Sequence, residues 1–146
     1  MGKIVVLQIP NSKNNGSAMM AINSITHFHN YFNGNVEFYC DFSTQYDHDR
    51  IASELKNDVK VNRLDFPQFQ RGPNLATSVI NSILWINKIV KNLEEHKPDA
   101  VIVLGGDDFS EYYSGYKIII RLYQFYKISQ KLPVFLIGHT IGPFCS

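Results

Sequence analysis

The stretch Asp99-Ala-Val-Ile-Val-Leu-Gly-Gly-Asp-Asp-Phe-Ser110 decides the fold. The uncharged run of residues 100–105 suits a strand that is buried on both faces, as in the centre of a parallel sheet. The two glycines then free the backbone for a sharp turn or for the close approach of a ligand. The turn presents Asp107 and Asp108 at the carboxyl end of the strand, where open α/β sheets bind their ligands. An alternative is a turn in which an aspartate only caps the following helix.

Strand and helix patterns alternate on both sides of this stretch. The sequence predicts strands at residues 4–9, 36–41, 59–64, 100–105 and 133–138. It predicts helices at residues 17–32, 47–57 and 116–130. A further helix, the third in chain order, has Pro73 near its first position, apolar positions from Leu75 to Leu93, and its end at residues 94–97 before Pro98. Right-handed crossovers and the usual strand order 3-2-1-4-5 give an α/β, doubly wound, Rossmann-like five-stranded parallel sheet. We expect residues 1–146 to form a single domain.

Helical spacing also predicts which side chains face the core. His27 and His29 of the first helix are expected at the surface, and residues 33–35 supply a left-handed end to that helix. The predicted core positions of the four helices are Ala18, Ile22, Ile25 and Phe28 or His29; Ile51 and Leu55; Leu75, Val79, Ile83, Ile86, Val90 and Leu93; and Ile119, Ile120, Tyr123 and Tyr126.

Composition excludes several classes of protein. With 14 basic and 13 acidic residues the net charge is +1, so nothing points to a nucleic-acid or membrane-surface partner. The two cysteines, Cys40 and Cys145, are too few for a disulfide framework, and no metal-ligand spacing is recognisable. The first apolar run ends at Pro10 and no run reaches about 18 apolar residues, so we expect no signal peptide and no transmembrane segment. The expected location is cytoplasmic.

The strand order predicts a crevice between strands one and four, because the connections leave those strands in opposite directions. One wall is the turn Asn14-Asn15-Gly16-Ser17, which leads into a helix N-terminus that suits a phosphate. A helix cap formed by Asn15 or Ser17 explains the same residues. The opposite wall is the turn after residue 104.

A third segment, His139-Thr-Ile-Gly-Pro-Phe144, follows the fifth strand and reaches the same edge of the sheet. We interpret His139 as a hydrogen-bonded residue that lines the crevice and not as a catalyst. Phe66, Phe69 and Arg71 either contact the substrate from the loop after the third strand or belong to an ordinary surface loop. No Ser-His-Asp or Cys-His arrangement is present, so the catalytic residues are unknown.

Three motifs in this order resemble the polysaccharide pyruvyl transferases. They are Asn15-Gly16-Ser17-Ala18, Val101-Ile-Val-Leu-Gly-Gly-Asp-Asp-Phe109 and Gly138-His-Thr-Ile-Gly-Pro-Phe144, of which the last two are the more specific. Ser17 stands where the family commonly has an aspartate, so no role of that carboxylate is carried over.

The resemblance implies the amino-terminal, acceptor-side half of a two-domain, glycosyltransferase-B-type enzyme that moves a pyruvyl group from phosphoenolpyruvate onto a sugar. Phosphoenolpyruvate would be held mainly by the second domain, so the isolated chain is expected to be inactive. No cofactor or metal is expected. The candidate substrate-binding residues are Asn15, Gly16, Ser17, Gly105, Gly106, Asp107, Asp108, His139, Thr140 and Gly142.

Two other functions remain open at this point. The chain is also compatible with another nucleotide-sugar or glycosyltransferase-B-like enzyme, and with a non-catalytic sugar-binding or interaction domain. The expected partner is a lipid-linked or nucleotide-linked sugar acceptor. If a second domain covers the carboxyl edge of the sheet, that edge exposes apolar area in its absence, and homo-oligomers are possible.

Overall fold

The computed structural model describes residues 1–9, 12–105 and 117–139. These residues form a five-stranded parallel sheet of order β3-β2-β1-β4-β5, which confirms the predicted Rossmann-like topology. The strands are β1 (Gly2–Leu7), β2 (Val36–Cys40), β3 (Lys60–Arg63), β4 (Ala100–Leu104) and β5 (Val134–Ile137). In this order β3 lies at one edge of the sheet and β5 at the other.

Four described helices cover the two faces of the sheet: α1 (Asn15–Tyr31), α2 (Gln45–Glu54), α3 (Leu75–His96) and α4 (Lys117–Ser129). Side chains alternate along β1, so Ile4 and Val6 pack with α1 and α2, while Val5 and Leu7 pack with α3 and α4. Since both faces are covered, the central strands are apolar throughout, as the sequence of β4 indicated.

The ends of α1 follow local rules, with one correction. The helix is capped by Asn14, whose side chain accepts from the backbone N–H groups of Gly16 and Ser17, and not by Asn15 or Ser17. At the other end Asn33 and Gly34 both have positive φ, which confirms the predicted left-handed termination.

His29 is buried, so its predicted surface position is wrong. Its Nε2 atom lies 3.1 Å from Asp58 Oδ2 at the surface of the molecule. The helical spacing placed His29 next to the core face, and the Asp58 carboxylate supplies the polar partner that makes burial of an imidazole acceptable. This hydrogen bond also lowers the pKa of Asp58.

The predicted core positions are right for α1 and α2 but only partly right for the other two helices. In α3, Ile86, Val90 and Leu93 are buried, whereas Leu75 and Ile83 are exposed. In α4 the buried residues are Phe125 and Ile128, and the predicted Ile119, Tyr123 and Tyr126 are exposed. The helix is apolar around most of its circumference, so periodicity alone did not determine which side meets the sheet.

Pro73 precedes the N-cap Asn74 and is therefore outside α3, not at its first position.

None of the described helices is long and apolar enough to cross a membrane.

Candidate functional site

The carboxyl ends of β4 and β5 meet through two predicted site residues, Gly105 and His139. A Cβ atom at Gly105 would lie only 2.5 Å from both Cγ and the backbone N of His139. The Gly105 N–H donates to Ile137 O at 2.7 Å. The His139 ring lies with Nε2 3.3 Å from Val103 O, within hydrogen-bond range. Glycine is therefore required here because Gly138 and His139, which follow β5, occupy the space of a side chain.

The amino-terminal part of α1 packs against the same corner. Gly138 has a φ of +71°, and a Cβ atom there would be 3.4 Å from Met20 Sδ. Leu7 at the end of β1 pairs with Val103 of β4, so the chain leaves these two neighbouring strands at adjacent points. The structure therefore brings α1, Gly105 and His139 to one edge of the sheet.

The first residues after β1 are held by Asp41, which follows β2. Its Oδ2 accepts from Gln8 N at 2.7 Å and its Oδ1 accepts from Ile9 N at 3.0 Å. Gln8 has a φ of +61°, a conformation that costs a non-glycine residue on the order of 1–2 kcal/mol. Burial raises the pKa of Asp41 to about 7, although the two backbone bonds act in the opposite direction. Asp41 therefore positions the loop and is partly protonated at neutral pH.

The middle of this loop is held by Asp47 in the first turn of α2. Its Oδ1 accepts from both N and Oγ of Ser12, at 3.0 and 2.5 Å. Its Oδ2 accepts from the N-cap hydroxyl of Thr44 at 2.6 Å. The bonds from Ser12 and Thr44 lower the pKa of Asp47. The carboxylate thus stays ionised while buried, and its burial is compensated by these donors.

Arg50, one turn further along α2, completes the attachment. Its Nη1 donates to Ser12 O and its Nη2 donates to Asn15 Oδ1 at 2.6 Å. The Asn15 side chain, a predicted substrate contact, is therefore engaged with α2. Gly16 is exposed and Ser17 half-exposed. Because Asn14 already accepts from the Gly16 and Ser17 N–H groups, this helix N-terminus offers less to a phosphate than its sequence predicted.

Of the ten predicted site residues, five are described: Asn15, Gly16, Ser17, Gly105 and His139. Gly106, Asp107, Asp108, Thr140 and Gly142 lie outside the described residues, and their role stays a prediction. Within residues 1–9, 12–105 and 117–139 no group of three or more His, Cys, Asp or Glu side chains could hold a metal ion.

Asp41, Asp47 and Arg50 all shape this edge of the sheet, although none of them was predicted as a site residue. Two of these residues stand in sequence patterns from which they could have been identified. Asp41 follows directly on an apolar strand, as Asp107 follows the glycines after β4. Thr44 and Asp47 have the spacing of a capping pair at a helix start. Arg50 had no local signal, because its partners precede it by 35 and 38 residues.

Comparison with known proteins gives likeness in fold only. Neither a protein-family model nor a curated protein matches this chain. Among solved structures, Phytolacca americana UGT2 complexed with UDP-2fluoro-glucose and pterostilbene has a TM-score of 0.48 at 14% identity, over 93% of this chain and 30% of that one. Acinetobacter baumannii MurG has a TM-score of 0.46 at 11% identity, over 93% of this chain and 34% of that one.

The UDP-GlcNAc 2-epimerase from Neisseria meningitidis, bound to UDP-GlcNAc, has a TM-score of 0.43 at 19% identity, over 94% of this chain and 32% of that one. This chain therefore spans about a third of the length of each of these proteins.

Replacing Gly105 with alanine should disturb the corner where β4 and β5 end. The added methyl group would overlap the His139 backbone and ring, so we expect a loss of about 1–3 kcal/mol in the free energy of unfolding. Gly16→Ala is the matched control, because its methyl group meets only Asn14 Oδ1 at 3.5 Å and alanine favours a helix. Urea denaturation of both variants measures the difference. Equal stability of the two would contradict the close approach at Gly105.

Asp41 should make the stability depend on pH near neutrality. Its pKa is about 7 in the folded chain and near 3.9 when unfolded, so the folded state binds more protons between these values. The contribution of Asp41 to stability is complete below pH about 4 and is lost as the pH rises through 7. Relative to Asp41→Asn, the wild type should lose on the order of 2 kcal/mol between pH 5 and pH 8.

Denaturation of both proteins at the two pH values measures this loss, and carboxyl-carbon NMR gives the Asp41 pKa directly. A midpoint below pH 5, or a wild type that gains stability over Asp41→Asn as the pH rises, would show that burial does not dominate at this carboxyl.

Proposed function

We propose that this chain is the acceptor-binding domain of a polysaccharide pyruvyl transferase-like enzyme. In that reaction two sugar hydroxyl oxygens bond to C2 of phosphoenolpyruvate to form a ketal, the bond from C2 to the phosphate oxygen breaks, and the two hydroxyl protons go to the methylene carbon and to the departing inorganic phosphate. The supporting observation is the contact between Gly105 and His139. These residues belong to the two most specific segments of the resemblance, and their side-by-side position at the sheet edge is what a shared substrate-binding function requires.

The chemistry of this edge suits a neutral, hydroxyl-rich ligand. Asn15 lies at the edge with Arg50 bound to its amide oxygen, and the His139 ring lies beside Gly105. In the sequence, Gly106, Asp107 and Asp108 directly follow Gly105, and carboxylates are strong acceptors for sugar hydroxyls. We therefore assign acceptor binding to the edge formed after β1, β4 and β5.

The proposal divides the reaction between two domains of a glycosyltransferase-B-type enzyme. The fixed loop after β1 and the corner at Gly105 would orient the acceptor, and a second domain would supply the groups that hold phosphoenolpyruvate. The chain alone is therefore expected to bind sugar without transferring pyruvyl.

Calorimetric titration with a panel of free, nucleotide-linked and lipid-linked sugars tests this assignment. We expect saturable binding that Asp107→Ala weakens about tenfold, as expected for the loss of a charged hydrogen-bond acceptor. Glu95→Ala is the charge-matched control, because Glu95 lies in the last turn of α3, which leads to the amino end of β4, and it forms an exposed pair with Lys91. Binding of UDP-sugars alone, with no affinity for other acceptors, would favour the nucleotide-sugar enzyme instead.

A second arm adds phosphoenolpyruvate to the same mixtures and follows ketal formation by NMR. No product is expected from the isolated chain. Ketal formation would refute the proposal that a second domain is needed to hold phosphoenolpyruvate. Absence of binding to every sugar would refute the proposal that this chain binds the acceptor.

A further inference from the structure

A cavity of about 630 Å³ lies between α3, α4 and the segment that joins β3 to α3. This volume is typical of a site for a small organic molecule. Six of the residues that line it carry the argument: Phe69, Arg71, Leu75, Trp85, Ile120 and Arg121. None of them belongs to the candidate site at Gly105 and His139, so the cavity is a second site, and it contains Phe69 and Arg71, which the sequence allowed either as substrate contacts or as residues of a surface loop.

The segment before α3 forms one wall of this cavity, and hydrogen bonds hold it against the helix. Three side chains on one face of α3, spaced three and four residues apart, donate to three carbonyl oxygens of the segment. The bonds run from Trp85 Nε1 to Pro67 at 2.6 Å, from Asn81 Nδ2 to Gln70 at 3.1 Å, and from Ser78 Oγ to Gly72 at 3.2 Å. The segment is thus attached along its length.

Gly72 brings the backbone directly onto the first turn of α3. A Cβ atom at Gly72 would lie 2.3 Å from Thr77 Oγ1 and 2.6 Å from Ser78 N, so only glycine fits without a shift. This close approach fixes the backbone next to Arg71. The position of the Arg71 main chain at the cavity wall is therefore determined by packing.

The lining combines charge with an apolar surface. Arg71 forms no ion pair with any residue that the structure describes, and Arg121 lines the cavity from α4. The rings of Phe69 and Trp85 meet edge to face, with centroids 5.7 Å apart, and Leu75 and Ile120 add aliphatic surface. Guanidinium groups bind phosphate through paired hydrogen bonds, and apolar walls suit the organic part of a ligand.

We propose that this cavity binds an organic phosphate. The phosphate group lies with Arg71, and its apolar or planar body packs against Phe69, Trp85 and Leu75. A phosphate monoester carries close to two negative charges at neutral pH, so the Arg71 guanidinium attracts it more strongly than it attracts a single carboxylate. The organic part of this ligand is either a nucleoside or an aliphatic chain, and titration with one compound of each kind distinguishes the two.

Trp85 is the single tryptophan of the chain, so its fluorescence reports on this cavity alone. The protein is titrated with uridine monophosphate and with decyl phosphate below its micelle concentration. Two controls are included: decanol, which has the aliphatic chain but no phosphate, and inorganic phosphate, which has no organic part. We expect a saturable change with at least one organic phosphate, at a dissociation constant about tenfold or more below those of both controls.

Arg71→Gln should weaken that binding about tenfold. Leu75→Glu, at a position 64% exposed, should weaken it by placing a carboxylate beside the phosphate without affecting the fold. Arg63→Gln removes the same charge at β3, outside the cavity, and should leave binding unchanged. Circular dichroism confirms that each variant is folded.

A response to uridine monophosphate alone indicates a nucleotide, and a response to decyl phosphate alone indicates a lipid phosphate. Either result supports the proposal. It is overturned if neither compound saturates, if decanol binds as tightly as decyl phosphate, or if both Leu75→Glu and Arg71→Gln bind like the wild type.

Discussion

Two carboxylates fix the position of β1, and the candidate site depends on that position. At the amino end of the strand, Asp99 Oδ2 accepts from Lys3 N at 2.8 Å. At the carboxyl end, Asp41 accepts from Gln8 N and Ile9 N. Both faces of β1 are apolar, so a shift by one residue would still bury apolar side chains. The polar contacts at its two ends therefore distinguish the correct register.

From this fixed strand the loop geometry follows step by step. Asp41 stabilises the left-handed Gln8, and Asp47 then binds Ser12 while Arg50 reaches Asn15 at the start of α1. The same pairing places the end of β1 beside β4, where Gly105 meets His139. Burial of charged groups in this loop is costly, and its donors offset that cost only in the folded arrangement. The edge that we assign to acceptor binding is thus held by side chains outside the motifs of the resemblance.

The two proposed sites differ in how far they could be predicted. Gly105 and His139 were identified from turns at strand ends, and their contact follows from the parallel order of the strands. The sequence contains only a weak indication of the cavity at Trp85, because Phe69 and Arg71 are equally compatible with an ordinary surface loop. Its walls come from α3 and α4, and the apolar residues of α4 gave no unique inward face. Sequence patterns of this kind do not specify how two helices lie against each other.

The sequence by itself determined the class of fold, the order of the strands and the termination of α1. These features depend on local periodicity, on turn residues and on the handedness of crossovers, all of which are written in neighbouring residues. Only the tertiary structure decided that His29 is buried with Asp58, that Asp41 carries a raised pKa, and that Arg50 holds Asn15. Each of these contacts joins residues about thirty or more positions apart, and desolvation depends on atoms contributed by several elements. A local sequence pattern contains no information about the atoms that surround a side chain in the folded protein.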